Sequence, residues 1–445
     1  MDDWSQAENH AERARHFFQA GQWEQALAEL KQALAVNPEQ SDWHFGMGLT
    51  LDALHRYDEA VQAFDQALKL RGDDKDTMLH LAVDLLRTQH PDRAIEVLGR
   101  LNELDPNCEP GYCYRITAYA QKGDHEQAEV MFYLARQVQE ECPLCYDHLA
   151  QSLASRGEYV RAAWCWQRVL KMDASFPGVH ANLARLYWRQ GRLDEARQEY
   201  LRELRADPGD TAALLELGHV LVELDRPAEA AEKFRRVLEL DPEHAAAHLL
   251  LGELSLGAEH LDAAEASFTK ALTHDADLAG VHLRLAQVAL ARGQQDEAWR
   301  QARMELARQH HAVTHTQELA RLLVELGRPK PVEDLVNRQL QRAAEAHYPR
   351  PLTASLWMYR GVARMLVGRI EAGVADCRRC LHLDRENVLA MHNLVLAYAH
   401  QRRLARARAI LRRALKLQPE DAQLRHLKHR LFWLRWFGWA RLRRP

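Results

Sequence analysis

The chain has 445 residues and a hydrophobic content of 47%, values typical of a soluble folded protein too long for one ordinary core. It contains no run of about 18 apolar residues, and its N-terminus lacks the basic start and apolar stretch of a secretory signal. The seven cysteines, an odd number, favour reduced thiols and predict a cytoplasmic protein. The net charge of −4 conceals an asymmetry, because residues 400–445 carry +12 and residues 1–399 carry −16.

Alanine recurs every 34 residues along most of the chain. The column consists of Ala26, Ala60, Ala94, Ala128, Ala162, Ala196, Ala230, Ala264 and Ala298. Glycine tends to lie five residues before this column, an aromatic residue four after it, and a further small residue twelve before it. The glycine predicts the end of one helix in a left-handed conformation, and the alanine and the aromatic residue predict a second helix packed closely on the first. Each pair of helices leaves an apolar face that only a neighbouring pair can cover.

The series Gly48…Ala60…Phe64…Ala67 and Gly218…Ala230…Phe234…Pro242 are the clearest examples of the pattern. The pattern resembles the tetratricopeptide repeat, which has the same period and the same small, small, aromatic and proline positions. The resemblance implies an all-α protein, a right-handed α-solenoid of about twelve helix-turn-helix repeats ending in a C-terminal capping helix. We expect about ten repeats in residues 1–353, two more in 354–420 after a register break, and a basic Trp-rich helix in 421–445.

The family is one of interaction scaffolds, so the resemblance implies a protein or peptide partner held by the first helices, which line the concave side. In repeats three to seven that surface combines aromatic, amide, imidazole and guanidinium groups. Arginine and aromatic residues are common energetic centres of interfaces. The predicted groove residues are His80, Arg87, Tyr114, Gln121, Asp147, His148, Gln151, Asn182, Arg185, Trp188, Arg189 and His219. For any one of them, a solvated or packed position is the competing interpretation.

Two pairs of cysteines open repeats four and five, Cys108 with Cys113 and Cys142 with Cys145. Stacking of the repeats should bring the pairs near each other, and Cys-x2-Cys is a common half of a zinc site. The first pair has a looser spacing, and Cys108 and Cys142 hold the same position one repeat apart. The sequence therefore favours ordinary buried thiols over zinc, and we predict no metal and no cofactor.

The repeat register breaks once, near 341–353, where seven extra residues are present. Either the second helix of that repeat is two turns longer or a loop protrudes. A joint between two domains at this point and a continuous stack with one bulged repeat both fit the pattern.

The segment after Pro419 is basic and rich in tryptophan. Leu424, Leu427 and Leu431 recur at helical spacing and would cap the last repeat. The residues beyond them have the composition of a helix that binds an anionic membrane surface or a partner groove. The predicted C-terminal binding residues are Trp433, Arg435, Trp436, Trp439, Arg441, Arg443 and Arg444. Nucleic acid is disfavoured because no recognised binding motif accompanies the charge.

The sequence contains no Gly-x4-Gly-Lys-Ser/Thr phosphate-binding loop and no Gly-x-Gly-x-x-Gly dinucleotide-binding motif. It also lacks the His-Glu-x-x-His motif of zinc proteases and the Gly-x-Ser-x-Gly nucleophile elbow. The repeats also leave no segment large enough for a catalytic domain. We therefore predict a non-enzymatic cytoplasmic adaptor. The alternatives are a peripheral membrane factor tethered by its C-terminus and a peptide-sensing regulator whose solenoid changes pitch on binding.

Overall fold

The structure is a computed structural model that describes residues 3–308, 313–345 and 349–437, with side chains for residues 4–308, 313–343 and 349–431. In this part of the chain the backbone forms helices joined by turns, and no strand is present. The helices are α1 Asp3–Gln19, α2 Trp23–Val36, α3 Ser41–Ala53, α4 Tyr57–Leu70, α5 Lys75–Arg87, α6 Pro91–Leu104, α7 Glu109–Lys122, α8 His125–Val138, α9 Pro143–Ser155, α10 Tyr159–Met172, α11 Val179–Arg189, α12 Leu193–Ala206, α13 Thr211–Glu223, α14 Pro227–Leu240, α15 Ala245–Gly257, α16 Leu261–His274, α17 Val281–Ala291, α18 Gln295–Ala307, α19 Val313–Glu325, α20 Pro329–Glu345, α21 Arg350–Leu366, α22 Ile370–Leu383, α23 Val388–His400, α24 Leu404–Leu417 and α25 Ala422–Phe437.

The helices from α1 to α24 follow one another as pairs, so the all-α repeat architecture expected from the sequence is confirmed. The chain divides into two compact units, Met1–Ala230 and Ala231–Pro445, called here the N-terminal and C-terminal units. The predicted change of domain at residue 353 stays a prediction.

The alanine column lies on the second helices of the first nine pairs. All nine alanines are 0% exposed, and the aromatic residues one turn further on are buried beside them. The small residue on the first helix makes room for the ring. A Cβ atom added to Gly48 would lie 2.4 Å from Cε1 of Phe64, and one added to Gly252 would lie 2.4 Å from Cε1 of Phe268. A side chain at either position would therefore overlap the phenylalanine ring as it is placed in that hairpin.

A residue in the left-handed conformation lies two positions before the second helix of every pair. At Gly21, Gly123, Gly157, Gly191, Gly293, Gly327 and Gly368 this residue is glycine, as the sequence pattern predicts. At His55, Gln89, Asp225, Glu259 and Arg402 a residue with a side chain adopts the same conformation, with φ between 57° and 61°. The turn geometry is thus imposed by helix packing even where the residue disfavours it.

Replacing Glu259 with glycine is expected to stabilise the α15–α16 hairpin by about 0.5–1 kcal/mol, because glycine adopts the left-handed conformation without a Cβ clash. The reverse change in a neighbouring hairpin, Gly293→Ala, should destabilise α17–α18 by about 1 kcal/mol. Hydrogen–deuterium exchange read on peptides from each hairpin measures both effects. The expectation is wrong if Glu259→Gly does not slow exchange in α15–α16, or if both variants change the exchange rate of their hairpins in the same direction.

The seven extra residues lengthen two helices in the C-terminal unit. Helices α20 and α21 each have 17 residues, compared with 13 in α19 and 14 in α22. The increase is about one turn per helix. It is divided between two helices, whereas the sequence suggested two turns on one helix or a loop.

Helices α21 and α22 enclose a buried ion pair. The Arg360 guanidinium donates from Nε and Nη2 to the two carboxylate oxygens of Asp376, both at 2.9 Å, and Arg364 donates from Nη1 at 2.8 Å. The side chain of Asp376 is 1% exposed. Gly361 and Gly373 allow the two backbones to approach, since a Cβ at Gly361 would lie 2.9 Å from the Gly373 carbonyl oxygen. These contacts explain why the repeat pattern departs from its usual residues here.

Helix α25 covers the end of the last pair. Leu424, Leu427 and Leu431 are buried against a cluster that includes Leu411 and Tyr398. Asp421 caps the helix by accepting a hydrogen bond from the Leu424 backbone N–H at 2.9 Å. The capping interpretation of these leucines is confirmed.

Candidate functional site

All twelve predicted groove residues lie on first helices of the N-terminal unit, on α5, α7, α9, α11 and α13. Four are exposed, namely Arg87, Gln121, Gln151 and Arg189. Six are half-buried, namely His80, Tyr114, Asn182, Arg185, Trp188 and His219. Two are buried, namely Asp147 and His148. The set therefore mixes accessible groups with groups that pack between helices.

A cleft of about 190 Å³ is lined by residues of α9, α10 and α11. Gln151 of α9 and Asn182, Arg185 and Arg189 of α11 are among the residues that line it. Trp166 of α10 contributes an aromatic surface to the same cleft. Four predicted residues from two successive repeats thus line one cleft, which we call the α9–α11 cleft.

The two arginines of the cleft differ in their electrostatic surroundings. Arg185 Nε lies 3.0 and 2.8 Å from the two carboxylate oxygens of Glu216 on α13, and the Tyr200 hydroxyl donates to the same carboxylate at 3.0 Å. The charge of Arg185 is therefore compensated. Arg189 is exposed, and no carboxylate of the described residues forms an ion pair with it. It is the cation that the cleft presents to a ligand.

Asp147 and His148 do not present their side chains to solvent, in contrast to the expectation for groove residues. Asp147 accepts hydrogen bonds from Trp166 Nε1 at 2.8 Å and Gln151 Nε2 at 2.9 Å, and burial raises its pKa. His148 Nδ1 donates to the Cys113 carbonyl oxygen at 2.9 Å, and burial lowers its pKa. Asp147 therefore fixes two side chains of the α9–α11 cleft, whereas His148 joins α9 to α7.

The remaining predicted residues lie elsewhere on the same surface. His80 stacks on the ring of Phe64 with centroids 5.9 Å apart, and burial lowers its pKa. Trp188 stacks on His219 at 6.2 Å, joining α11 to α13. Tyr114 meets His148 edge to face.

Arg87 and Gln121 bond to groups of the protein itself. Arg87 Nη1 lies 2.9 Å from a carboxylate oxygen of Asp84, and it also pairs with Asp52. Burial, together with the nearby Asp52, raises the pKa of Asp84 to about 6. Gln121 Nε2 donates to the Leu86 carbonyl oxygen at 3.2 Å. Arg87 and Gln121 therefore connect α5 to its neighbours and do not line the α9–α11 cleft.

Three of the four predicted cysteines meet in one cluster, and the fourth does not. The Sγ atoms of Cys113, Cys142 and Cys145 and a carboxylate oxygen of Glu109 lie within 4.8 Å of one another. Cys108 is half-buried and packs against the apolar core of α3–α6. As N-cap of α7, Cys108 precedes the helical face that carries Glu109 and Cys113. The fourth group of the cluster is therefore the carboxylate of Glu109. Cys108, which the sequence pattern grouped with the other three cysteines, lies outside the cluster.

Sequence reasoning missed an apolar surface on the second helices. Tyr133 of α8 and Val160 and Trp164 of α10 are 58%, 83% and 58% exposed, and they line a cleft of about 390 Å³. Apolar residues at positions that the repeat pattern assigns to solvent were the available signal. Likewise, the spacing of Glu109 and Cys113, four residues apart on one helix face, could have indicated the acidic member of the cysteine cluster.

The predicted C-terminal binding residues lie outside the side chains that the structure describes: Trp433, Arg435, Trp436, Trp439, Arg441, Arg443 and Arg444. Nearby, a cleft of about 620 Å³ between α24 and α25 is lined by four cationic residues and three leucines. Within the described ranges, no helix combines the length and the apolar character needed to cross a bilayer.

Three family models, each described as tetratricopeptide repeat, match more than half of the chain. The matched segments are 11–75, 149–211 and 215–278 for the first model, 53–112 for the second and 388–418 for the third. The chain belongs to the tetratricopeptide repeat family. Proteins of this family generally mediate protein–protein interactions. No curated protein sequence matches the chain.

Solved structures of similar fold include repeat proteins from several sources. Yeast Tom70 is 13% identical with a TM-score of 0.45, and the match covers 96% of this chain and 95% of that one. Cut9 in the Cut9–Hcn1 complex of the APC/C is 12% identical with a TM-score of 0.47, covering 94% and 95%. A repeat protein of Thermus thermophilus is 27% identical with a TM-score of 0.39, covering 41% of this chain and 100% of that one.

Proposed function

We propose that this protein is a non-enzymatic scaffold that holds a segment of a protein partner on the first helices of its N-terminal unit, with the α9–α11 cleft as the centre of contact. The observation that carries the proposal is the composition of this cleft. It combines an exposed cation, Arg189, with the amides of Gln151 and Asn182 and the aromatic ring of Trp166.

The chemistry of the cleft favours a particular kind of segment. Because Arg185 is already neutralised by Glu216, the charge available to a ligand is that of Arg189. A carboxylate of the partner would pair with Arg189, and the amides of Gln151 and Asn182 would bond to its main chain. An apolar side chain on the same segment would pack against Tyr159, the half-buried ring that lines the cleft beside Trp166. The partner is therefore proposed to offer an acidic residue close to an apolar one.

The rigidity of the cleft supports a binding role. The Asp147 carboxylate holds both Trp166 and Gln151 through hydrogen bonds, so two side chains of the cleft are fixed by a buried group. A fixed surface loses little side-chain entropy on binding.

The double variant Gln151→Ala/Arg189→Ala is expected to weaken binding of a captured partner by about 30- to 700-fold, because each truncation of a central contact costs about 1–2 kcal/mol. Captured proteins would be identified by mass spectrometry, and affinity would then be measured with the purified partner. Arg185 is left unchanged, since its removal would take from Glu216 its cationic partner.

The matched control is Gln198→Ala/Arg205→Ala, which removes the same two residue types from exposed positions on the second helix α12. This control should retain every partner at wild-type affinity. An unchanged set of partners in the cleft variant, or equal losses in both variants, would contradict the assignment of the cleft.

A further inference from the structure

Four potential metal ligands converge where α7 meets the start of α9. Glu109 and Cys113 lie one turn apart on α7, and Cys142 and Cys145 flank the first residues of α9. The Cys113 and Cys142 sulfur atoms are 3.8 Å apart, and those of Cys113 and Cys145 are 2.6 Å apart. One oxygen of Glu109 lies 2.7 Å from Cys113 Sγ and 3.1 Å from Cys145 Sγ, and it also contacts Cys142.

We infer that Glu109, Cys113, Cys142 and Cys145 form a structural Zn²⁺ site that joins two successive repeats of the N-terminal unit. Zinc in structural sites takes four ligands in a tetrahedron, with Zn–S lengths of about 2.3 Å and Zn–O lengths of about 2.0–2.2 Å. Sulfur atoms in such a tetrahedron lie about 3.8 Å apart, as Cys113 and Cys142 do. Cys113 and Cys145 would separate by about 1 Å to admit the ion.

Burial makes this group of side chains unfavourable without a cation. Cys113 and Cys145 are 0% exposed and Cys142 is 2% exposed, so any thiolate formed there lies away from water. A divalent ion would stabilise all four groups in their anionic forms.

The start of α9 provides a second favourable interaction for an anionic sulfur. The Cys145 backbone N–H donates to Cys142 Sγ at 3.0 Å, so Cys142 serves as the N-cap of the helix. A helix N-terminus lowers the pKa of a thiol, and Cys-x2-Cys at such a place is a common half of a zinc site. The Cys113 carbonyl oxygen accepts from His148 at 2.9 Å, which fixes α7 against α9 beside the cluster.

A site with four protein ligands is closed, so its role is to hold structure. Two ligands come from each of two repeats, and the ion would therefore clamp α7 to α9. This site is separate from the α9–α11 cleft, and its test does not depend on any partner.

The full-length chain, purified under reducing conditions without chelator, is expected to contain about one zinc ion per chain by elemental analysis. The double variant Cys142→Ser/Cys145→Ser should contain less than about a tenth of an ion per chain. Cys108→Ser is the matched control, because Cys108 lies in the same segment outside the cluster, and it should bind zinc as the wild type does.

A second measurement applies to the wild-type chain and does not require the variant to fold. After removal of zinc, added Co²⁺ should give the visible absorption of tetrahedral cobalt and strong thiolate charge-transfer absorption in the near ultraviolet. Glu109→Gln should keep the charge-transfer bands and bind the ion more weakly.

The inference is overturned if the reduced wild-type chain binds neither zinc nor cobalt. It is also overturned if intact mass shows Cys113 and Cys145 joined by a disulfide in the protein as purified, or if iron or copper occupies the site in place of zinc. Equal loss of metal in the Cys108→Ser control would show that Cys108 is a ligand and would refute the ligand set.

Discussion

Replacing Asp376 with alanine is expected to destabilise the α21–α22 hairpin by about 3–5 kcal/mol, because the change leaves the buried Arg360 guanidinium with no carboxylate and only the Asn337 amide oxygen as an acceptor. The Arg360 side chain is 10% exposed and bonds to both oxygens of Asp376. Arg364 also donates to this carboxylate and keeps a second partner in Glu333 at 2.9 Å. The loss therefore falls mainly on Arg360.

Hydrogen–deuterium exchange read on peptides from α21 and α22 measures this effect, with α3–α6 as an internal reference in the other unit. The control Glu325→Ala removes the partner of Arg321, whose side chain is 71% exposed, and should change stability by less than about 1 kcal/mol. The double variant Arg360→Met/Asp376→Leu should recover most of the loss, because it removes both buried charges. If exchange in α21 and α22 is unchanged in Asp376→Ala, water compensates the charge of Arg360 and the prediction is wrong.

Replacing Gly48 with alanine is expected to destabilise the α3–α4 hairpin by about 1–3 kcal/mol, the usual cost of adding a methyl group to a filled core. The new Cβ would lie 2.4 Å from Cε1 and 2.6 Å from Cδ1 of Phe64, which is 0% exposed. The ring also packs against Phe45 and His80, so it cannot move without displacing them.

The double variant Gly48→Ala/Phe64→Leu is expected to be more stable than Gly48→Ala alone. Repeat three already carries this combination as Ala82 and Leu98, both 0% exposed. The control is Gly99→Ala within α6, where an added Cβ would meet nothing within 4 Å, and it should stabilise its helix by about 0.5–1 kcal/mol. If α3–α4 peptides exchange equally fast in Gly48→Ala and in Gly48→Ala/Phe64→Leu, the ring of Phe64 is not what makes Gly48→Ala destabilising.

The features that the sequence predicted correctly are those imposed by local helix geometry. The buried alanine column and the left-handed glycines follow from the close crossing of two helices, which every repeat shares. The same turn geometry at His55 and Glu259 could not be predicted from residue type, because packing imposes it against their preference.

The features that the sequence did not predict depend on contacts between repeats. Asp147 and Gln151 both occupy first-helix positions assigned to the groove, yet one is buried and the other exposed. Asp147 lies between helices and accepts a hydrogen bond from Trp166, a contact that its position in the repeat does not reveal. In the cysteine cluster, α7 begins at Glu109, so Cys108 precedes the helix and packs against a different group of residues. The spacing of the cysteines in the sequence does not reveal where the helix begins.

The turns that hold a non-glycine residue in the left-handed conformation are not spread evenly along the chain. His55 and Gln89 close consecutive hairpins, as do Asp225 and Glu259. Each such residue stores about 1–2 kcal/mol of strain that the glycine turns avoid. Because a repeat protein can open one hairpin at a time, a mechanical load is expected to lengthen the chain first at these four hairpins and at the hairpin that contains Arg402. The identity of the turn residues thus sets the order in which the molecule would yield to force.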